Sequence, residues 1–187
     1  DQINGGSAGS VGSGYTLNVL LGAIYNTENG EANSELTISQ DYVTIIGETG
    51  SGPIINGTGA TSWHYGIKID ASNVTLRNLY VTGFTGTDPS GTGIEIVSGS
   101  NNTIENCWVY GNHDGISVWQ SANCTIQGCE IDNNNFDGIS ISESAGSIIT
   151  QNTIHDNFET DNSDGIIVEA CSPEISRNTI YDNRFNI

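Results

Sequence analysis

The sequence predicts an all-β solenoid of about six rungs, each built from three short strands, and three observations predict it. The first is a motif, Gly-Ile-x-(Ile/Val), that returns five times: Gly66-Ile67-Lys68-Ile69, Gly93-Ile94-Glu95-Ile96, Gly115-Ile116-Ser117-Val118, Gly138-Ile139-Ser140-Ile141 and Gly165-Ile166-Ile167-Val168. Self-similarity at a period in the twenties marks a repeat architecture, in which a unit buries its apolar row only by stacking on its neighbours. The second is a pair of further apolar columns that emerges when these anchors are aligned. Leu76, Ile104, Ile126, Ile149 and Ile175 form one, and Val81, Val109, Ile131, Ile154 and Ile180, always five residues later, form the other. The third is periodicity: the runs alternate with period two between glycine and polar breaks, and no stretch holds the 3.6-residue period of a useful helix.

Taken in order, residues 1–14 are rich in Gly and Ser and read as a flexible N-terminal arm. The solenoid is expected over 15–187. Its first rung, at 15–60, is irregular: Thr16-Leu17-Asn18-Val19 and Ala23-Ile24-Tyr25 open it, and a degenerate rung runs through Leu36, Ile38, Val43, Ile45 and Ile54. Regular rungs begin at 66. Insertions fall at one corner, just before the next anchor, at Gly57–Tyr65, Phe84–Thr92 and Phe158–Asp164, and loops sharing a corner line one face. At the far end Arg184-Phe185-Asn186-Ile187 reads as the approach to a sixth anchor. An open C-terminal end is therefore expected, belonging to a longer protein or covered by another molecule.

Rungs of about 22 residues with three inward rows resemble the right-handed, single-stranded parallel β-helix of the pectate-lyase-like superfamily, and in particular its carbohydrate-binding and sugar-hydrolysing repeats. The resemblance covers most of the chain and implies fold far more than function. A column between the first and second strands, Asn73, Asn101 and Asn123 with Gly146 and Ser172 below, is similar to the asparagine ladder of that superfamily, since Asn and Gly tolerate the left-handed backbone of a tight corner. Asn112, Asn134, Asn157 and Asn183 form a second such column after the third strand.

The net charge of −18, from 22 acidic and four basic residues, argues against nucleic acid and anionic membranes as partners. It points instead to divalent cations and an extracellular or cell-surface setting. No apolar stretch approaches the length of a membrane span, so insertion is not expected. Among four cysteines, Cys107 and Cys129 occupy the same place in consecutive rungs, about 4.8 Å apart across a parallel ladder. They read either as a disulfide or as a stacked pair of small buried thiols. Cys124 and Cys171 fall in different columns and read as free or as used between subunits.

Candidate chemistry lies in two outward features. The anchors are preceded by Asp114, Asp137 and Asp164, a stack of carboxylates that suits calcium unless each Asp serves only its Asp-Gly turn. Asp132, Asp156 and Asp182 near the third corner carry the same two readings. Tyr80 and Trp108 share an outward column, with Tyr110 two residues on, and the three are expected to form a flat platform for sugar rings or for assembly contacts. Trp119 faces out elsewhere, beside Val97, and His155 beside Asp156 reads as a solvated residue.

The resemblance implies possible hydrolase or lyase chemistry, but the residues argue against it. Paired carboxylates at hydrolytic separation arise in any Asp ladder. The Gly-His-Gly and Arg-x-Lys elements of the polygalacturonases are replaced here by Asn112-His113-Asp114-Gly115 and nothing. A lyase base would have to come from Lys68, Arg77, Arg177 or Arg184, none beside an acidic triad. Asn56, Asn73, Asn101 and Asn123 begin glycosylation sequons, three of them in the corner column itself. The expectation is an extracellular structural solenoid that associates with itself into a fibre, tube or sheath, with a carbohydrate-binding module or a polysaccharide lyase or hydrolase fragment as the alternative. Its partners are further copies of itself or a polysaccharide, and calcium is the one candidate cofactor.

Overall fold

The computed structural model describes residues 16–19, 24–26, 36–48, 53–58, 65–86, 91–158 and 163–187. The arm expected at 1–14 and the tips of the three insertions lie outside the described residues. Every regular element among those described is a strand, and the strands stack into three parallel sheets of seven, seven and six. One middle rung shows the path: Ile94–Ser98 lies on the anchor sheet, Thr103–Glu105 on the second and Trp108–Tyr110 on the third.

The register follows the sequence columns. Ile67, Ile94, Ile116, Ile139 and Ile166 are successive Cα partners on the anchor sheet. Leu76, Ile104, Ile126, Ile149 and Ile175 pair in the same way on the second, and Val81, Val109, Ile131, Ile154 and Ile180 on the third. A one-residue slip would turn each apolar row outward, so one buried row per strand suffices to hold the register.

At the N-terminal side Thr16–Val19 and Ile24–Asn26 open the solenoid and pair with Thr44–Gly47 and Ile54–Asn56, and Leu36–Ile38 completes the latter as a full rung. Six complete rungs follow this leading strand pair among the described residues. Within the first complete rung, Ile55 rather than Ile54 is the inward residue, because Ile55 stands opposite the buried Val81. Two adjacent isoleucines give alternation no direction of its own, and the neighbouring rung chooses.

The core is one narrow column. On the anchor strands both apolar positions point inward, so Ile67 with Ile69, Ile94 with Ile96, Ile116 with Val118 and Ile139 with Ile141 are all buried. The anchor glycines answer to close packing between rungs. A Cβ on Gly115 would stand 2.4 Å from the Gly138 carbonyl oxygen and 2.7 Å from Ile131 Cγ2, far inside contact distance.

The corner asparagines adopt the expected left-handed backbone, with φ of 58° at Asn73 and Asn101 and 56° at Asn123, and Gly146 takes over at 74°. Their amides contribute little to stacking, since Asn101 reaches Asn73 only at 3.5 Å on the exposed surface. The buried ladder is the second column. Asn112 Nδ2 donates to Asn134 Oδ1 at 3.2 Å, Asn134 to Asn157 at 3.0 Å and Asn157 to Asn183 at 2.8 Å, and each amide also donates to a backbone carbonyl of the third sheet. Buried polar groups need partners, and this column supplies them to its own members rung by rung.

Candidate functional site

The outer face of the third sheet brings together residues from two parallel outward columns. Tyr80, Trp108 and Glu130 follow one another in the first; Thr82, Tyr110, Asp132, His155 and Tyr181 follow one another in the second. In a parallel ladder these side chains sit about 4.8 Å apart along the column. Tyr80 and Trp108 meet edge to face, with centroids 5.2 Å apart and planes at 79°, and Trp108 and Tyr110 lie at 4.3 Å and 30°. The expected flat platform is therefore a faceted one, because aromatic quadrupoles favour edge contacts over parallel stacking. All three rings remain half-buried and present part of their surface to solvent.

Below the rings lies a polar group that the sequence reading had divided among separate roles. Trp108 Nε1 donates to Asp132 Oδ1 at 2.6 Å, and the Asn133 amide donates to the other Asp132 oxygen, so a carboxylate only 5 % exposed is satisfied on both sides. His155 is not a solvated residue. Its Nδ1 bonds Asp156 Oδ2 at 2.7 Å, its Nε2 stands 3.7 Å from Glu130 Oε1, and its ring stacks on Tyr181 at 4.8 Å and 7°. Burial lowers the imidazole pKa, but the Asp156 bond, the charges of Asp132 and Asp156 and the Glu130 contact outweigh it and raise the pKa above the ordinary value.

The Asp114, Asp137 and Asp164 column forms at the insertion corner, where it caps the rungs. Asp114 Oδ1 accepts from the Asp137 backbone N–H at 3.2 Å, and Asp137 Oδ1 accepts from that of Asp164 at 2.8 Å. The second Asp114 oxygen meets His113 Nδ1 at 3.0 Å, and the His113 ring stacks on Phe136. These contacts are those of Asp residues that cap their Asp-Gly turns, and each bonded oxygen takes one of them.

A cleft of about 180 Å³ opens beside this column, lined by Thr92, Glu95, Asp114, Ser117, Phe136, Asp137 and Ser140. Glu95 was missed from the sequence: it holds the outward position of its anchor, which reads as solvent-facing, yet it is 9 % exposed. Burial pushes its pKa up to about 7, opposed by a hydrogen bond from Ser117, with Asp114 adding to the rise and Lys68 offsetting it. Asp137 reaches about 7 as well, again chiefly through burial, which outweighs the Asp164 amide; the Asp114 and Asp164 charges add to the rise and His113 offsets it. Two carboxyl groups that exchange protons near neutrality thus share one cleft.

Cys107 and Cys129 stack as neighbours and are free, buried thiols, as is Cys124 in its own column; Cys171 is free and half-buried. The Cys107 and Cys129 thiols hydrogen-bond each other, and each sulfur lies 3.4 Å from a backbone carbonyl, those of Glu105 and Gln127. One rung on, Asn152 uses the same place to donate to the Ile126 carbonyl.

Three parallel sheets wound in register, with polar and aromatic clusters on their outer faces, define a right-handed β-solenoid. The chain belongs to the right handed beta helix region family, whose sequence model matches residues 32–186. Its fold is similar to the crystal structure of pectate lyase Pel9A, with a TM-score of 0.69 and 17 % identity over 95 % of this chain and 51 % of that one. It is also similar to the Dettilon tailspike protein gp208, with a TM-score of 0.62 and 17 % identity over 93 % of this chain and 41 % of that one. The chain spans about half the length of the lyase and less of the tailspike. No curated protein matches the sequence significantly. Among the described residues no helix is long and apolar enough to cross a membrane.

Proposed function

We propose that this chain is the carbohydrate-binding β-helix of an extracellular or cell-surface protein, with a polysaccharide lying on the outer face of the third sheet across Tyr80, Trp108 and Tyr110. The observation that carries the reading is the setting of Trp108. Its half-exposed indole packs against two tyrosines and is fixed through its N–H to a buried carboxylate, so an apolar ring face is held still beside hydrogen-bonding groups. Sugar rings need that combination, and little side-chain entropy is lost on binding because the platform is already ordered. The similarity to a pectate lyase supports a polysaccharide as ligand. A chain of net charge −18 favours a neutral polysaccharide, or an acidic one bridged by calcium at the millimolar affinity usual for extracellular modules. Calcium at the Asp114, Asp137 and Asp164 column belongs to the proposal in that weak, bridging form only.

Affinity electrophoresis through gels containing neutral or acidic polysaccharides, with and without calcium, tests this. Retardation of the wild type and its loss in Trp108→Ala would support the reading; equal mobility of the two in every gel would end it. The same gels, assayed for reducing ends or unsaturated products, test the lyase or hydrolase alternative.

Self-association into a fibre, tube or sheath is the second reading. It is favoured by large apolar side chains left outside the core of a highly acidic molecule, with Trp119 47 % and Phe158 54 % exposed on faces away from Trp108. Lateral contacts through these or through the Tyr80, Trp108 and Tyr110 face would build it. Sedimentation velocity at high concentration, with divalent cations present, decides: a single monomeric boundary removes this reading and leaves carbohydrate binding.

A further inference from the structure

We propose that Glu130, Asp132 and His155 form a binding site for a divalent transition cation of the zinc type on the outer face of the third sheet. One ligating atom from each lies within 4.8 Å of the others. Glu130 and Asp132 come from the same strand, Glu130–Asp132, and His155 is the in-register partner of Asp132 on the next, so three donors reach one point from two hydrogen-bonded strands. Rigid elements of this kind hold ligands better than loops do.

The cluster differs from a plain acidic patch in how its imidazole is prepared. Asp156 Oδ2 sits 2.7 Å from His155 Nδ1, so the carboxylate accepts the Nδ1 proton, and Nε2, on the side of Glu130, is the nitrogen from which a cation would displace a proton. A carboxylate behind a histidine is the arrangement that fixes the tautomer and orientation of a metal-bound imidazole. The stacked Tyr181 ring limits rotation about the other axis. Asp132 is fixed with equal care by Trp108 and Asn133, each oxygen taking one hydrogen bond and keeping a lone pair. Two of the three ligands are thus locked, and the third, Glu130, has a side chain 54 % exposed and free to swing.

That asymmetry suits capture of an ion. Ligand atoms about 2.0 Å from a tetrahedral metal stand about 3.3 Å apart, closer than the cluster now holds them. Glu130 Oε1 stands 3.7 Å from His155 Nε2 on an exposed side chain, so that pair closes to ligand spacing without moving the backbone. One imidazole nitrogen and two carboxylates leave a coordination position open, and a mixed nitrogen and oxygen set selects zinc or cobalt over calcium and magnesium. The ion would also neutralise charge where Glu130, Asp132 and Asp156 crowd together. This inference stands apart from carbohydrate binding: the ion needs none of the aromatic surface beyond the hydrogen bond from Trp108 to Asp132.

The test uses the full chain stripped with chelator, then titrated calorimetrically with zinc chloride and, separately, with calcium chloride. One equivalent of zinc, with calcium giving no heat at the same concentration, is the expected result. His155→Gln should abolish binding, and Asp156→Asn, which leaves every ligand in place, should weaken it about 10–100-fold. Circular dichroism and melting in chelator confirm that each variant is folded. If His155→Gln unfolds the rung, Glu130→Ala, at an exposed side chain, carries the test and should weaken binding at least tenfold. Cobalt substitution supplies an independent readout: a ligand-field spectrum without thiolate charge transfer is expected, since none of the four cysteines belongs to the site. Failure of the wild type to retain zinc, unchanged affinity in both His155→Gln and Asp156→Asn, or a thiolate band would overturn the proposal.

Discussion

Trp108 Nε1 and Asp132 Oδ1 are joined at 2.6 Å, so a ring on one rung is tied to a carboxylate on the next. Each residue explains the other: the indole gives a buried acid a donor, and the acid holds a half-exposed ring in place. A hydrogen bond to a charged group contributes about 1.5–3 kcal/mol net, and partial exposure puts this one at the low end. In chelator-treated protein, Asp132→Ala and Trp108→Phe should each lower unfolding free energy by about 1–2 kcal/mol. The double variant should lose clearly less than the sum, as coupled neighbours do. Additive losses in urea titration would show that the bond contributes nothing.

Stability should fall as the solution passes from mildly acidic to neutral. Glu95 and Asp137 have folded-state pKa values raised to about 7, above those of an unfolded chain, so the folded protein binds more protons in between. Their contribution is complete below the unfolded values near pH 4 and disappears as pH rises through about 7, with an upper limit of about 3–4 kcal/mol per group. Melting temperature measured from pH 4.5 to 8 should decline, and the decline should flatten in Glu95→Gln with Asp137→Asn. Asparagine keeps the oxygen that accepts from the Asp164 amide, which separates the charge effect from loss of the cap.

Asn134 should matter more than Asn123, although the two look alike in sequence. Asn134 Oδ1 accepts from both the backbone and the side chain of Asn112, and its amide donates to Asn157 and to the Val109 carbonyl, all in the interior. Asn134→Leu strands several of these groups and should cost about 2–4 kcal/mol. Asn123→Gly keeps the left-handed corner at φ 56° and should stay within about 0.5 kcal/mol of wild type. Chemical denaturation of the two variants provides the comparison.

The thiols should divide by burial. Cys107, Cys124 and Cys129 are buried and should react with a thiol reagent only as fast as the rungs open, whereas half-buried Cys171 should react first. One rapid equivalent followed by three slow ones that accelerate together in urea is the expected time course. Three rapid equivalents would mean that the middle rungs breathe far more than their packing implies.

The rungs were legible because a solenoid repeats its core. The Leu76 to Ile175 column and the Val81 to Ile180 column were found by counting, and the structure pairs them residue for residue. The aromatic column through Tyr80 and Trp108 was legible for the same reason. The role of His155 was not, although its column was: the alignment that sets Tyr110, Asp132, His155 and Tyr181 in one row was available, but the turn that brings Asp156 onto the imidazole was not. Nor did the asparagine columns declare which of them is buried.

The sequence by itself determined the fold class, the strand register and the inward rows of the regular rungs, because each follows from apolar spacing along a chain that contacts mainly the next turn of itself. Only the tertiary structure decided which outward side chains meet water. Glu95 and Asp132 occupy outward positions of alternating strands and are nevertheless buried, the first in the cleft at the insertion corner and the second beneath the Trp108 indole. Such burial depends on distances between columns and on how far a side chain from one rung leans over the next. Those are properties of the stack, and period-two alternation within one strand carries no record of them.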